Sequence, residues 1–233
     1  MDLVRRRTNI IKALFCDLFF TLITPKYNCK NEYDVLGITK DEWEFYAENE
    51  VLYHDRALGK IANKAEIIKR IVSTIPLHVT EQQESEISIL RENRMKRALI
   101  SVDRQIIKIL TLIHNKGIKL CVISNADKID CEYWSMSPLA SIFDRAIFSC
   151  EVGMLKPNKE IYWYAMKQLK VEPNESIFVG DGGSDELGGA KRAGMQTVFT
   201  EYLDKKNAAE SQRLQLDSDY HIDKFDELIN IIY

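Results

Sequence analysis

The chain has 233 residues, of which 45% are hydrophobic and 29% charged, enough for one large domain or a domain with a smaller insert, and too apolar for a disordered chain. Thirty-two basic and thirty-five acidic side chains give a formal charge of -3, so no overall positive field favours nucleic acid or an anionic membrane as a partner. Ten glycines and five prolines exclude a collagen-like or low-complexity chain.

The N-terminal segment places basic residues before an apolar stretch, as a signal peptide does. Lys12 and Asp17 interrupt that stretch, and the sequence has no uncharged apolar run of about 18 residues. The five cysteines include no C-x-x-C pair, and three lie in apolar runs, which is typical of buried thiols in a reducing compartment. We therefore expect a soluble, unprocessed cytoplasmic protein without a membrane segment.

Five short apolar runs predict β-strands at residues 11–17, 119–125, 145–150, 176–181 and 196–200. The runs are continuous rather than alternating, which is typical of parallel strands covered on both faces. Between the later runs, Asp103 can cap a helix that ends at Gly117, and Ser184 can cap another that ends at Gly194. This alternation of strand and helix predicts an α/β fold with a doubly wound parallel sheet.

Far more residues separate the first two predicted strands than the dozen or so that a crossover needs. Within this stretch, residues 38–75 and 79–100 carry apolar side chains at helical spacing among many charged helix formers. The sequence therefore predicts an α-helical subdomain over residues 24–100, inserted into a core domain of residues 1–23 and 101–233. For residues 201–233 it predicts a surface loop and a closing helix.

Polar residues follow the predicted strands at their carboxyl ends. They are Asp17 and Thr21 after the first strand, Ser124 and Asn125 after the second, Lys156 before the helix that leads to the fourth, and Asp181, Asp185 and Glu186 after the fourth. In open α/β sheets, ligands bind beyond these ends, near the topological switch point. Carboxylates suit a hard cation such as Mg²⁺, and a lysine with hydroxyls can neutralise phosphate oxygens beside an attacking carboxylate. The residues predict an aspartyl-phosphate type of site.

The order of these motifs resembles that of the haloacid dehalogenase (HAD) superfamily of hydrolases. FCDLFFTL is similar to the family's nucleophile loop, CVISN to its second motif, LKP to its third and FVGDGGSDELGGAKRAGM to its acidic fourth, over about residues 11–200. The inserted helical segment resembles the family's α-helical cap. The resemblance implies a Rossmann-like core domain and a Mg²⁺-dependent phosphatase that acts on a small phosphorylated compound, as a monomer or homodimer.

The resemblance also implies a role for each matched residue. Asp17 is the implied nucleophile, Thr21 and Ser124 bond the transferring phosphoryl group, Asn125 completes the second motif, and Lys156 stabilises the phosphoryl group. The implied Mg²⁺ ligands are Asp17, the backbone carbonyl of Phe19, Asp181, and either Asp185 or Glu186.

One departure from the family pattern concerns proton transfer. The family's phosphatases carry a second aspartate two residues after the nucleophile, and Phe19 stands at that position here. Losing such an acid–base group typically costs about 10²–10⁴ in rate. Phe20 follows, where glycine is common. The inserted segment offers other candidate proton donors, although such residues are more often solvated surface: Glu48, Tyr53, His54, Asp55 and Arg56.

Two alternative functions remain. The 2-haloacid dehalogenases of the superfamily also have an aromatic residue at the position of Phe19, the Ser124–Asn125 pair, and a tyrosine matching Tyr162. Those enzymes are metal-free, whereas a carboxylate cluster without a metal repels itself, so we favour the metal-dependent phosphatase. The other alternative is a catalytically weak regulatory protein that binds phosphate or metal.

Overall fold

The computed structural model describes residues 10–61 and 63–233. The basic N-terminal residues considered above as part of a signal-like segment lie outside this range. Within the described residues, every helix is too short or too polar to cross a membrane. The fold is α/β, with one six-stranded sheet at its centre.

The sheet has the strand order β3-β2-β1-β4-β5-β6, and every pairing is parallel. Its strands are β1 Ala13–Cys16, β2 Lys119–Ser124, β3 Arg145–Phe148, β4 Ser176–Gly180, β5 Gln196–Thr200 and β6 Tyr220–Ile222. The first five lie inside the five predicted runs. The prediction for residues 201–233 is wrong where it omits β6, because a three-residue strand with one fully buried side chain leaves too short a pattern to recognise.

The α-helices of the described residues fall into two groups. Those between β1 and β2 are α1 Glu32–Leu36, α2 Lys40–Ala47, α3 Glu50–Ala57, α4 Lys64–Ser73, α5 Glu81–Ile100 and α6 Arg104–Asn115. Those that follow β2 are α7 Lys128–Cys131, α8 Ser149–Val152, α9 Lys159–Leu169, α10 Glu186–Arg192, α11 Ala208–Asp217 and α12 Leu228–Ile232.

Both faces of the sheet are buried. Alternate residues of a strand point to opposite faces, so Leu14 and Cys16 of β1 join one apolar cluster with α6 and α12, while Ala13 and Phe15 join another with α9 and α10. This double covering explains why the strand sequences are continuously apolar. It is the arrangement expected of the predicted doubly wound sheet.

The switch in strand order lies at β1, which pairs with β2 on one side and with β4 on the other. Asp17 directly follows β1, Asn125 follows β2 and Asp181 follows β4. Because the strands are parallel, these three residues emerge at the same edge of the sheet.

The inserted helices α1–α5 have an apolar cluster of their own, which includes Trp43, Ile67 and Ile87. Ile129 of α7 belongs to the same cluster, so the inserted helices also pack against the part of the chain that follows β2. Their helical character agrees with the spacing of apolar residues in the sequence. The division into a core and a cap domain at residues 23/24 and 100/101 stays a prediction.

The two predicted helix starts have different outcomes. Asp103 caps α6 as predicted, and its carboxylate accepts hydrogen bonds from the backbone N–H groups of Gln105 and Ile106. The cap predicted at Ser184 is wrong: Ser184 has a left-handed backbone (φ 51°) within a short 3₁₀ turn, and Asp185 precedes α10 instead.

Phe15 provides a test of this core. Its side chain is fully buried at the centre of the sheet, whereas Phe45 on α2 is 75% exposed. We expect Phe15→Ala to lower the free energy of unfolding by about 3–5 kcal/mol, through lost burial and a residual cavity. Phe45→Ala, the matched control, should change it by less than about 0.5 kcal/mol. Urea unfolding of both variants measures the difference, and similar small losses would contradict the described core.

Candidate active site

A cavity of about 480 Å³ lies between the carboxyl edge of the sheet and the inserted helices. Such a volume is typical of a small-molecule site. The residues that line it near the strand ends include Asp17, Phe19, Phe20, Asn125, Lys156, Asp181, Glu186 and Lys206. Those contributed by the inserted helices and the loops beside them include Trp43, Glu48, Tyr53, Arg56, Arg91 and Arg94.

Lys156 joins two carboxylates at the bottom of this cavity. Its ammonium group donates short hydrogen bonds to Asp17 Oδ1 and to Glu186 Oε2. All three side chains are less than one-tenth exposed. Asp17, Lys156 and Glu186 are far apart in the sequence, but they meet at the strand ends in one buried ionic cluster.

Asn125 fixes the backbone from which Lys156 projects. The Asn125 amide donates to the Lys156 carbonyl at 2.9 Å, and its side-chain oxygen accepts from the Lys156 N–H at 2.8 Å. Tyr162 fixes the backbone of Glu186, the second carboxylate partner of Lys156, because its hydroxyl donates to the Glu186 carbonyl at 2.8 Å. Asn125 is thus placed to position the lysine rather than to react.

A second lysine, which the sequence interpretation missed, contacts the same site. Lys206 Nζ donates to Asp181 Oδ2 and to Asp204 Oδ2, both at 2.7 Å. Its side chain is 13% exposed, and that of Asp181 is 8% exposed. Lys206 follows β5 in a stretch without apolar periodicity, so its position after a strand end is the one sequence signal that could have indicated it.

The close approach of Glu186 depends on Gly180. The Glu186 carboxylate occupies the space that a Cβ atom at position 180 would fill, so a side chain there would displace the carboxylate from Lys156. Asp185 is directed elsewhere, because its carboxylate accepts from Arg192 at 2.8 Å and its side chain is 59% exposed. Of the two acidic residues that the sequence left open as metal ligands, the geometry favours Glu186.

The clustered charges alter one another's ionisation. Burial raises the pKa of Asp17, and Asp181 adds to that rise, while Lys156 opposes it. Burial and Asp17 also raise the pKa of Glu186 against the same opposition. Although burial disfavours its charged form, Lys156 has a raised pKa because Asp17 and Glu186 surround it. With Asp181, which Lys206 contacts, the cluster has three carboxylates and two lysines, so an added positive charge would stabilise the ionised carboxylates.

A divalent cation suits this surplus of negative charge. Asp17, Asp181 and Glu186 each offer a carboxylate oxygen, and these oxygens lie within 4.8 Å of one another. All three residues are buried. Hard oxygen ligands at this spacing fit Mg²⁺, which also keeps water or phosphate oxygens in its coordination shell.

The two predicted hydroxyl residues lie behind the cavity rather than on its surface. Thr21 and Ser124 are fully buried, and neither belongs to the lining residues. Thr21 Oγ1 has no hydrogen-bond partner within the described part of the chain. With the same described residues, Ser124 Oγ makes only a long 3.5 Å contact, to the Asn125 carbonyl. Their contact with a phosphoryl group stays a prediction.

Phe19 and Phe20 form part of the cavity wall next to Asp17. Phe20 has φ 60°, in the left-handed region that favours glycine. Among the candidate proton donors from the inserted segment, Glu48, Tyr53 and Arg56 line the cavity. His54 and Asp55 do not belong to the lining residues, and Asp55 pairs with Lys60 at 2.9 Å.

Buried arginines of the inserted helices form another part of the wall. Arg56 of α3 and Arg91 of α5 both donate to Asp127 Oδ2 at the start of α7, at 2.6 and 3.1 Å. Arg94, one turn from Arg91, donates to buried Glu32 at 2.8 Å. The sequence does carry a signal for these residues. Arg91 and Arg94 lie on the same stripe of α5 as the buried Ile87 and Met95, and a charged residue in a buried stripe needs a partner.

A family model described as haloacid dehalogenase-like hydrolase matches residues 59–200, more than half of the chain. The matched segment contains Lys156, Asp181 and Glu186 and begins after Asp17. Among solved structures, a 2-haloacid dehalogenase from Pseudomonas syringae superposes with a TM-score of 0.66 at 20% identity, covering 95% of this chain and 98% of that chain. A HAD-family enzyme from Bacteroides thetaiotaomicron, in complex with magnesium and inorganic phosphate, has a TM-score of 0.63 at 18% identity, covering 86% and 98%.

Similar sequences include a bifunctional epoxide hydrolase and a glyceraldehyde 3-phosphate phosphatase. The chain is 36% identical over 104 residues to bifunctional epoxide hydrolase 2 of Rattus norvegicus. The aligned residues cover 42% of this chain and 19% of that protein. The chain is also 30% identical over 147 residues to glyceraldehyde 3-phosphate phosphatase of Methanocaldococcus jannaschii, and the aligned residues cover 62% of each protein. The matches thus span about a fifth of the first relative's length and less than two thirds of the second's.

Asp127 allows the arginine pairing to be tested. Burial opposes its ionisation, but Arg91 and Arg56 outweigh burial and hold the pKa of Asp127 below its usual value. A lowered pKa contributes stability that is complete above the ordinary value of about 3.9 and is lost as pH falls through the lowered one. We therefore expect Asp127→Asn to cost about 3–5 kcal/mol at neutral pH, because two guanidinium groups lose their buried anion.

The control for this prediction is Asp103→Asn. Asp103 caps α6 with an equivalent pair of backbone hydrogen bonds, but it is exposed, and it pairs with no arginine of residues 10–61 and 63–233. Its replacement should cost less than about 0.5 kcal/mol. Urea unfolding at about pH 7 and about pH 3.5 measures both variants, and the Asp127→Asn deficit should shrink at the lower pH. Equal losses for the two variants would contradict the proposed pairing.

Proposed function

The chain belongs to the haloacid dehalogenase-like hydrolases, and from this premise we propose that it is a Mg²⁺-dependent phosphatase that acts on a small phosphorylated compound through Asp17. The observation that carries the proposal is the buried cluster in which Lys156 bridges Asp17 and Glu186 beside Asp181. Three carboxylates and a lysine at the switch point of the sheet supply a nucleophile, metal ligands and a phosphate-binding cation.

In the proposed reaction, Asp17 attacks the phosphorus atom, and the substrate's ester oxygen leaves. Lys156 holds the attacking carboxylate and pairs with a phosphoryl oxygen, so that negative charge gathering on the phosphoryl group is neutralised. Asp17, Asp181 and Glu186 would hold Mg²⁺, which supplies positive charge to the phosphoryl oxygens when bound. Hydrolysis of the acyl phosphate by water then restores Asp17 and releases phosphate.

The comparisons support a phosphoryl substrate in a general way. A relative at 30% identity is named a glyceraldehyde 3-phosphate phosphatase, and a structure of the same fold holds magnesium and inorganic phosphate. The inserted helices would exclude bulk water from the cavity, which strengthens the electrostatic interactions inside it. We infer a cytoplasmic enzyme that works as a monomer or homodimer.

Asp17→Asn tests the proposed nucleophile. We expect Mg²⁺-dependent hydrolysis of an activated aryl phosphate to fall by more than about 10³-fold, because the amide is neutral and a poor nucleophile. The control is Asp41→Asn, which changes an exposed aspartate at the start of α2 and should leave the rate within about twofold. Phosphate release is measured with Mg²⁺ and with chelator, and circular dichroism checks folding. Turnover by folded Asp17→Asn would refute the mechanism.

Phe19→Asp tests the missing acid–base group. Phe19 lines the cavity next to Asp17, so an aspartate there can reach the leaving oxygen. We expect kcat for generic phosphate esters to rise by about tenfold or more, within the range that a general acid contributes. Phe19→Asn is the matched control, because asparagine has nearly the size of aspartate but no carboxyl proton to transfer. An equal effect of the two substitutions would show that the side chain's acidity is not involved.

Dehalogenation of a 2-haloacid is a second candidate, which the position of Lys206 favours. Lys206 and Lys156 together place two ammonium groups on the three clustered carboxylates, so positive charge is available there without a metal. Chloride release from 2-chloropropionate that persists in chelator and disappears in Asp17→Asn would establish this function. Inactivity toward both substrates would instead support the regulatory protein.

A further inference from the structure

Two cysteines from separate segments of the chain lie side by side. Cys131 ends α7 and Cys150 belongs to α8, and their Sγ atoms are 3.8 Å apart. A disulfide needs an S–S distance of about 2.0 Å. A small movement of the two side chains would therefore bring the sulfur atoms to bonding distance.

Neighbouring strands hold the two cysteines in this position. α7 follows β2 and α8 follows β3, and because these strands pair in parallel, both segments leave the sheet at the same edge. Ser149, beside Cys150, accepts a hydrogen bond from the Ala126 N–H at 3.0 Å and donates to the Ala126 carbonyl at 3.2 Å. The closeness of Cys131 and Cys150 thus follows from the sheet topology.

The other three cysteines have different surroundings. Cys16 and Cys121 are fully buried in adjacent strands, but they join the apolar clusters on opposite faces of the sheet. Cys29 is exposed, and its thiol contacts the Asn28 side chain at 3.5 Å. Within residues 10–61 and 63–233, Cys131 and Cys150 are the one pair of cysteines whose sulfur atoms are in hydrogen-bond contact.

The two thiols differ in access and in ionisation. Cys131 is 5% exposed, whereas Cys150 is partly exposed. A hydrogen bond from the Cys131 thiol lowers the pKa of Cys150, although burial opposes this effect. The same hydrogen bond and burial raise the pKa of Cys131. Because the thiolate is the nucleophilic form, Cys150 is the thiol placed to react first with an oxidant.

We propose that Cys131 and Cys150 are an oxidation site, which forms an intramolecular disulfide when a hydroperoxide such as hydrogen peroxide oxidises it. The Cys150 thiolate attacks one peroxide oxygen, the O–O bond breaks, and hydroxide leaves, so that Cys150 becomes a sulfenic acid. The Cys131 sulfur then attacks the Cys150 sulfur, the S–O bond breaks, and the oxygen leaves as water with the Cys131 proton. The two sulfur atoms lose two electrons, and the peroxide gains them.

The bond would join two segments that support the inserted helices. Asp127, which caps α7, pairs with Arg56 of α3 and Arg91 of α5. The Cys150 carbonyl fills the space that a Cβ atom at Gly59 would occupy, so the backbone after α3 lies directly against α8. Oxidation would therefore link both supports of α3. In a reducing compartment the bond would last until other thiols reduce it.

Counting free thiols before and after oxidation tests this site. The chain has five cysteines, so the reduced, denatured protein should take up five alkylating labels. After brief treatment with hydrogen peroxide it should take up two fewer, and dithiothreitol should restore them. Tryptic mapping should find the peptides of Cys131 and Cys150 joined. Five labels after oxidation, or two lost labels without the joined peptides, would overturn the site.

Three serine variants assign the chemistry to individual thiols. Cys131→Ser leaves Cys150 without a resolving thiol, so dimedone should trap a sulfenic acid at Cys150. Trapping at Cys131 in Cys150→Ser would contradict the proposed order of attack. Cys29→Ser removes an exposed thiol outside the pair and is the matched control, which should still lose two labels on oxidation. Retention of both labels in Cys29→Ser would contradict direct oxidation of the pair.

The peptide map is made on the wild-type chain, so it decides the site even if a variant does not fold. Oxidation should also shift the midpoint of urea unfolding upward relative to the same oxidised sample after dithiothreitol, because a cross-link restricts the unfolded chain. A downward shift would contradict the fit of the bond to the fold. None of these measurements uses a substrate, so their outcome is independent of the proposed phosphatase function.

Discussion

The burial of three carboxylates at one edge of the sheet is the constraint on which the site depends. Parallel strands bring Asp17, Asp181 and Glu186 together, and burial alone disfavours their charges. Lys156 offsets part of that cost, and Asn125 fixes the backbone that carries it. In the proposed function, Mg²⁺ would supply the positive charge that these carboxylates still lack, and the same charge would offset that of the phosphoryl group.

The ion pairs of Asp127 with Arg56 and Arg91 hold the inserted helices, and both arginines also line the cavity. Asp127 caps α7 with one carboxylate oxygen and receives Arg56 and Arg91 on the other. α3 and α5 are thereby joined to the segment that follows β2. The ion pairs that join the inserted helices to this segment therefore fix the part of the cavity wall that the arginines form.

The sequence predicts the sheet well because its strands are buried on both faces and are followed by polar residues. Asp17, Lys156 and Asp181 stand out since ionisable groups are rare at the ends of apolar runs. Arg91 and Lys206 are harder to predict, because their importance depends on which distant residues they meet. The cap predicted at Ser184 was wrong because helix-capping propensity does not reveal the left-handed turn (φ 51° at Ser184) that precedes α10.

Phe19 illustrates a conflict between chemistry and packing at one position. Its ring lines the cavity and packs against two apolar clusters, one beneath the sheet's edge and one among the inserted helices. An aspartate there could transfer a proton, but it would place a charge where those clusters meet. Phenylalanine instead adds apolar surface beside Asp17, and apolar surroundings strengthen the pairing of Asp17 with Lys156. In the proposed reaction, proton transfer to the leaving oxygen must therefore come from the substrate, from water or from the helical side of the cavity, where Glu48 and Tyr53 lie.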